Sequence, residues 1–293
     1  MTDKFLFGLL GYPLGHSLSP RIHAAARQVH SLGGEYRLFA LEDERDIPVL
    51  IDRFREGTLH GLNVTIPYKS KVIELIDEIT PTARSIGAVN TISFQQNQVI
   101  GENTDAGGFL ADLGRLGWFP ESGRRLRALL LGSGGAARAV AYALHQHGWQ
   151  LIIAARRLEQ AEKIAGSLQK VETDEGTQFG VASILLDRKS LASIQHSPDL
   201  IVNTTPLGMS PHKNGCPWPA DLGLPPQAAV YDLVYNPVDT EFTRTARAAG
   251  LRSASGIGML VEQAALSFEI WTGLAAPRDE MLASLSANST GAR

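Results

Sequence analysis

The sequence predicts an α/β protein built as two domains, and three observations carry that prediction. Short apolar runs alternate with amphipathic stretches along nearly the whole chain, which is the pattern of strands interleaved with helices. An apolar run at residues 126–131 stops at Gly132-Ser133-Gly134-Gly135-Ala136-Ala137, then gives way to an alanine-rich amphipathic stretch and a second apolar run at 151–154. At 293 residues the chain is also long enough for two domains of ordinary size.

Taken in order, residues 5–10 (FLFGLL) read as a strand and 11–19 as a loop. Ser19-Pro20 opens a helix, with Ser a favoured N-cap and Pro preorganised for the first helical position, and it runs to about His30 before Gly33-Gly34. A strand follows at 36–41, then a helix at 42–55 with acids in its first turn and Gly57 behind it. Residues 61–66 are expected as a strand and 67–79 as a helix ending before Thr80-Pro81. Residues 89–94 and 98–101 suggest a hairpin around 95–97, which makes the first sheet mostly parallel but mixed. GENTDAGG (101–108) reads as the crossing into the second domain, followed by a linking helix at 109–116 and a polar loop at 117–125. Beyond the glycine turn and its helix, a helix is expected at 158–168 and strands at 180–184, 200–203 and 229–233. Helices at 240–249 and 256–274 and a last one after Pro277 complete the chain. Residues 169–178 read as a polar loop tip, 211–226, with five prolines, as a long loop near the site, and 284–293 as a frayed tail.

The strand–glycine turn–helix–strand unit is the one that holds a dinucleotide. Gly132 allows the tight turn, Gly134 lets backbone approach a pyrophosphate, and Ala137 lets helix and strand pack closely. Free N–H groups at the start of that helix favour anionic phosphates, with Ser133, Gly135 and Ala136 beside them. Glycine-rich turns occur in α/β proteins without a nucleotide too, but strands on both sides at this distance favour the Rossmann reading. At the end of the second strand, where an NAD site offers an acid to the ribose 2′-OH, this chain has Ala155-Arg156-Arg157. Two guanidiniums suit a 2′-phosphate, so NADP is the expected cofactor. Strand-end arginines that are merely solvated are the alternative.

Composition narrows the rest. Hydrophobic residues make up 44% and charged residues 19%, and the net charge is −3, which gives no reason to expect nucleic acid or an anionic membrane as partner. A single cysteine, Cys216, excludes an intrachain disulfide and fits a reducing, cytoplasmic setting. No run approaches membrane-spanning length, and eight scattered histidines give no legible metal site.

Candidate chemistry clusters at strand ends. Ser17 and Ser19 lie beside a helix start, a good place for a small carboxylate, although a turn and a cap account for the same two residues. GLNVTIPYK (61–69) sets Asn63, Thr65 and Lys69 at the carboxyl end of a strand, where ligands of open α/β sheets bind. A lone lysine there is often only solvated. Asn90 and Asp105 sit at, or just after, strand ends of the same layer.

Together these segments resemble the shikimate dehydrogenase family. The matching stretches are GYPLGHSLSP (11–20), GLNVTIPYK (61–69), GAVNT (87–91), GENTDAGG (101–108), LGSGGAARA (131–139), NTTPLGM (203–209), DLVYNPVDTEF (232–242) and GIGMLVEQAALSFEIWTG (256–273). Their order covers the chain from its tenth residue to its last long helix. The resemblance implies that Ser17, Ser19, Asn63, Thr65, Lys69, Asn90, Asp105 and Gln263 surround the substrate and that Lys69 and Asp105 are the catalytic pair. It also implies that Tyr235 helps to hold the substrate and that Thr204, Met209 and Gly256 join the cofactor-contacting set. Two departures stand out: Ala155-Arg156-Arg157 replaces a common Asn-Arg-Thr, which keeps the arginine, and Ala24 stands where Asn is frequent.

The expectation is therefore an NADP-dependent enzyme that reduces 3-dehydroshikimate to shikimate reversibly, in the route to chorismate and the aromatic amino acids. Residues 1–105 and returning helices at 256–293 would bind substrate, residues 106–255 would hold NADP, and the cleft between them would close on binding. The protein is expected to stand alone, as monomer or homodimer. An NAD-using quinate/shikimate dehydrogenase is the alternative within the enzyme class. A non-catalytic NADP-binding sensor is the alternative outside it, and would have no need of Lys69, Asp105 and the serines together.

Overall fold

The computed structural model describes residues 4–119, 126–168, 180–194, 198–211 and 213–286; the loop tip expected at 169–178 and the end of the tail lie outside them. The chain divides into two compact units, Met1–Gly108 with Val261–Arg293, and Phe109–Leu260.

In the first unit, β1 (Phe5–Gly11) leads through a loop to α1 (Ser19–Val29) and the edge strand β2 (Gly34–Ala40). The period of two along β1 sorts its side chains. Phe7 and Leu9 pack with Tyr36 and Trp271 on one side of the sheet, while Leu10 joins the core on the other. A single 3₁₀ turn at Glu44–Asp46 precedes α2 (Ile47–Arg55), whose Ile47, Leu50, Ile51 and Phe54 recur at helical spacing and fill that second core. The helix expected from residue 42 thus starts later: Asp43 accepts from the Arg45 N–H at 2.9 Å, which caps the short turn instead. Next comes β3 (Gly61–Val64), parallel to β1 as β2 is.

Residues 67–79 do not form the expected helix. They turn, make a 3₁₀ segment at Lys71–Leu75, and end in the two-residue strand β4 (Glu78–Ile79). Three local interactions outweigh helix continuation. Ile76 is extended, Asp77 accepts the Val99 N–H at 2.8 Å, and β4 pairs in parallel with Ile100 and Gly101. The β-branched residues Val72, Ile73, Ile76 and Ile79 suit this extended packing against the sheet core. Thr80 then caps a helix absent from the sequence reading, α3 (Pro81–Ile86): its hydroxyl accepts from the Ala83 N–H, Pro81 follows, and Gly87 closes the helix at φ +69°.

The hairpin of β5 (Thr91–Gln95) and β6 (Gln98–Glu102) closes through Gln96 and Asn97, both at positive φ as a two-residue turn requires. It makes the sheet mixed, in the order β2-β1-β3-β5-β6-β4. The linking helix α4 (Thr104–Arg115) starts five residues before the expected 109, because Asn103 caps it by accepting the Asp105 and Ala106 N–H groups.

In the second unit, β7 (Arg127–Leu131), α5 (Gly135–Gln146) and β8 (Gln150–Ala155) form the expected strand–turn–helix–strand unit. Next come α6 (Leu158–Leu168), β9 (Val181–Leu185), the short α7 (Arg188–Ser193) and β10 (Leu200–Asn203), followed by β11 (Ala229–Asp232), α8 (Glu241–Ala248) and β12 (Ser253–Ser255). Neither α7 nor β12 was expected, because each is too short to show a period. The six strands are all parallel, in the order β12-β11-β10-β7-β8-β9, the doubly wound Rossmann arrangement whose order reverses between β7 and β10. After β12 the chain runs into α9 (Ile257–Thr272) and α10 (Arg278–Ser286). No helix among the described residues is long and apolar enough to cross a membrane.

Candidate active site

In the first unit, three strand ends and a helix start bring polar side chains to one place. Lys69 follows β3 and Asp105 lies in the first turn of α4, and their side chains meet with Nζ 2.5 Å from Oδ2. The lysine side chain is 17% exposed and the carboxylate 7%, so the pair is shielded yet reachable. Asp105 Oδ1 accepts a second hydrogen bond, from Asn90 Nδ2 at 2.8 Å. The carboxylate is therefore held at both oxygens, at a helix N-terminus whose dipole favours negative charge. Lys69 is held on the main chain as well, its carbonyl accepting the Val89 N–H at 2.7 Å.

Behind this pair lies a buried polar cluster. Asn63 Nδ2 reaches Ser267 Oγ at 2.9 Å, Thr91 Oγ1 at 3.2 Å and the Asn90 carbonyl at 3.2 Å, and Asn63 Oδ1 accepts from the Tyr36 hydroxyl at 2.9 Å. Thr91 and Thr104 complete the cluster with Ser267. Sequence reasoning missed Tyr36, Thr91, Asn103, Thr104 and Ser267. Ser267 had one legible signal, its position one helical turn after Gln263.

The remaining candidates of this unit take the following places. Ser17 and Ser19 flank the start of α1, where the structure puts Leu18 at the N-cap and Pro20 within the first two helical positions, so Ser19 is not the cap. Ser17 Oγ instead accepts the Ser19 N–H at 3.3 Å, and Ser19 is buried. Thr65 is half-buried just after β3, its N–H on the Leu10 carbonyl. Gln263 sits on α9 where that helix passes so close to Gly108 that any Cβ there would fall 2.6 Å from the Gln263 nitrogen. Also buried here is His23, stacked on Tyr36 at 4.4 Å between ring centroids; burial lowers its pKa to about 3, opposed by the Asn63 side chain beside it.

In the second unit, Gly132 has φ +121°, and a Cβ there would come within 2.5 Å of Thr204 Oγ1, so the turn after β7 requires glycine. Gly134 is the extended N-cap of α5, and a Cβ on it would meet nothing within 4 Å, which leaves the helix start open to a ligand. Gly135 and Ala136 form the first turn, and Ala137 is fully buried as close helix–strand packing demands. Ser133 donates to Gln160 Oε1 at 3.0 Å. Ala155 ends β8 buried, and Arg156 and Arg157 follow it exposed. The half-buried Thr204 and Met209 and the buried Gly256 lie beyond the ends of β10 and β12. A strand-end network holds the first of these loops: Asn203 joins Asp232 at 2.8 Å and Thr205 Oγ1 at 2.7 Å, and Thr240 donates to Asp232 at 2.6 Å. Burial raises the Asp232 carboxyl. Tyr235 is half-buried, and burial raises its phenol. A glycine cradle at the switch point, an open helix N-terminus and strand-end arginines together fit a dinucleotide with a 2′-phosphate.

Comparison with known proteins agrees with this chemistry. A family profile described as the shikimate dehydrogenase substrate binding domain matches residues 9–92, and one described as the shikimate 5′-dehydrogenase C-terminal domain matches 256–285. A shikimate dehydrogenase (NADP(+)) of Carboxydothermus hydrogenoformans is 40% identical over 273 residues, covering 93% of each chain. Among solved structures, the shikimate 5-dehydrogenase of Thermus thermophilus in complex with NADP(H) and shikimate superposes with a TM-score of 0.82 at 33% identity, covering 96% of this chain and 98% of that one. A quinate dehydrogenase of Corynebacterium glutamicum in complex with NAD superposes with a TM-score of 0.84 at 30% identity, covering 97% and 99%.

Proposed function

The chain belongs to the shikimate dehydrogenase family, and from that premise we propose that it reduces 3-dehydroshikimate to shikimate with NADPH, reversibly, in the cytoplasmic route to chorismate and the aromatic amino acids. The observation that carries this reading is the 2.5 Å contact of Lys69 with Asp105, braced by Asn90.

NADPH, when bound, supplies the hydride. Gly132, Ser133, Gly134, Gly135 and Ala136 would hold its phosphates, Ala155, Arg156 and Arg157 its 2′-phosphoryl ribose, and Thr204, Met209 and Gly256 complete the set. The chain's own residues do the proton work. Negative charge grows on the substrate's carbonyl oxygen during reduction, and the Lys69–Asp105 pair delivers a proton there; in oxidation the same pair removes it from the hydroxyl. Ser17 and Ser19, at the start of α1, bind the substrate carboxylate through hydroxyl donors and the helix dipole. Thr65, Asn90, Gln263 and Tyr235 bind the rest of the substrate, with Asn63 fixed behind them.

A steady-state assay crossing shikimate and quinate with NADP⁺ and NAD⁺ tests the assignment. Highest kcat/KM for shikimate with NADP⁺ supports it. Preference for quinate with NAD⁺ overturns it in favour of the other dehydrogenase, and no turnover with any pair leaves a binding protein.

A further inference from the structure

We propose that Thr104 is a positioning residue for the Lys69–Asp105 pair, acting through Asn90: it holds both ends of the Asn90 amide and so turns the remaining N–H onto Asp105. The inference rests on the reading of that pair given above.

Thr104 opens α4 and is 3% exposed; Asn90 is 2% exposed. The Thr104 backbone N–H donates to Asn90 Oδ1 at 2.7 Å, and Thr104 Oγ1 accepts from Asn90 Nδ2 at 2.9 Å. A backbone N–H can only donate, so it fixes which end of the amide is oxygen. The amide nitrogen has two hydrogens. One goes to Thr104 Oγ1, and the other is left for Asp105 Oδ1 at 2.8 Å, which leaves Oδ2 facing Lys69.

The hydroxyl oxygen accepts from Asn90 Nδ2 through a lone pair and has its one proton left to donate. Asn90 Oδ1, Thr91 Oγ1 and Ser267 Oγ each lie 3.2 Å from the Thr104 hydroxyl, so its proton has an acceptor. Of these, Ser267 Oγ gives its own proton to the Gln263 carbonyl at 2.9 Å and also meets Asn63 Nδ2 at 2.9 Å and Thr91 Oγ1 at 2.8 Å. Without the hydroxyl, Asn90 keeps its oxygen anchor but loses one N–H partner in a buried site. The amide can then swing, and Asp105 loses its second fixed contact.

The test is steady-state oxidation of shikimate by NADP⁺ with the full chain carrying Thr104→Val, Thr104→Ser, and Thr104→Val in an Asn90→Ala background. Thr104→Val should lower kcat on the order of tenfold, the size of coupling expected between contacting residues, with KM for NADP⁺ unmoved. Thr104→Ser, which restores the hydroxyl, should recover most of that loss. In the Asn90→Ala background, Thr104→Val should cost nothing further. Wild-type kcat for Thr104→Val, a serine variant as slow as the valine one, or an equal loss in both backgrounds each overturns the proposal. Thr104→Ala, which removes the same hydroxyl and leaves no bulk in its place, carries the same predictions should the valine variant fail to fold. Lys69→Ala tests the underlying pair separately: it keeps its kcat if that reading is wrong, whatever the ratio between the Thr104 variants.

Discussion

Tyr36 donates its hydroxyl to Asn63 Oδ1 at 2.9 Å, reaching over β1 from the edge strand β2 to β3. Asn63 spends its amide hydrogens on Ser267, Thr91 and the Asn90 carbonyl, so both of its polar ends are engaged by the protein. That makes it a strut beneath the site. Tyr36→Phe leaves Asn63 Oδ1 buried without a donor, which should destabilise the fold by about 1–3 kcal/mol. Urea unfolding measures this, and an unchanged midpoint would mean that another donor replaces the tyrosine.

Arg156 stands at the end of β8 where an acid would accept the ribose 2′-OH. Arg156→Ala should raise KM for NADP⁺ and leave that for NAD⁺ nearly unchanged, a loss of about 1.5–3 kcal/mol for hydrogen bonds to a charged group. Equal weakening with both cofactors would remove the arginine from 2′-phosphate recognition.

Ser17 has its hydroxyl beside the first turn of α1. Ser17→Ala should raise the KM for shikimate while the KM for NADP⁺ stays put. An unaltered shikimate KM takes Ser17 out of the site, and a parallel rise in both indicates a folding defect instead.

His23 gives a pH prediction. Burial, opposed by the Asn63 side chain and aided by the charge of Arg27, lowers the imidazole from 6.5 to about 3. In this window the unfolded chain binds the extra proton and the folded chain does not, so the neutral ring's contribution is lost as pH falls from about 6.5 toward 3. Between pH 7 and pH 5 this single group should cost about 2 kcal/mol of folding stability. His23→Phe keeps an aromatic ring against Tyr36 and removes the titration. Its stability should fall less than wild type over that interval in urea titrations. Parallel losses would show that His23 is protonated in the fold.

Much of this was legible because the signals are local. The glycine turn before α5, a hairpin around residues 95–97 and the long apolar α9 each follow from neighbouring residues. Lys69, Asn90 and Asp105 could be placed at strand ends in the same way. What escaped depends on partners distant in sequence. Residues 67–79 carry enough apolar residues for a helix, but pairing of Glu78 and Ile79 with β6 decides otherwise. The Thr91–Thr104–Ser267 cluster joins residues up to 176 positions apart, which no local pattern reports.

The central claim is that Lys69 and Asp105 move the proton. General acid–base catalysis contributes about 10²–10⁴-fold, so kcat for shikimate oxidation at saturating shikimate and NADP⁺ is the decisive quantity in Lys69→Ala. The account predicts a fall of about two to four orders of magnitude with a smaller change in shikimate KM, and a similar pattern in Asp105→Asn. A Lys69→Ala enzyme that keeps most of its wild-type kcat while its shikimate KM rises steeply would contradict it and leave the lysine a binding role alone.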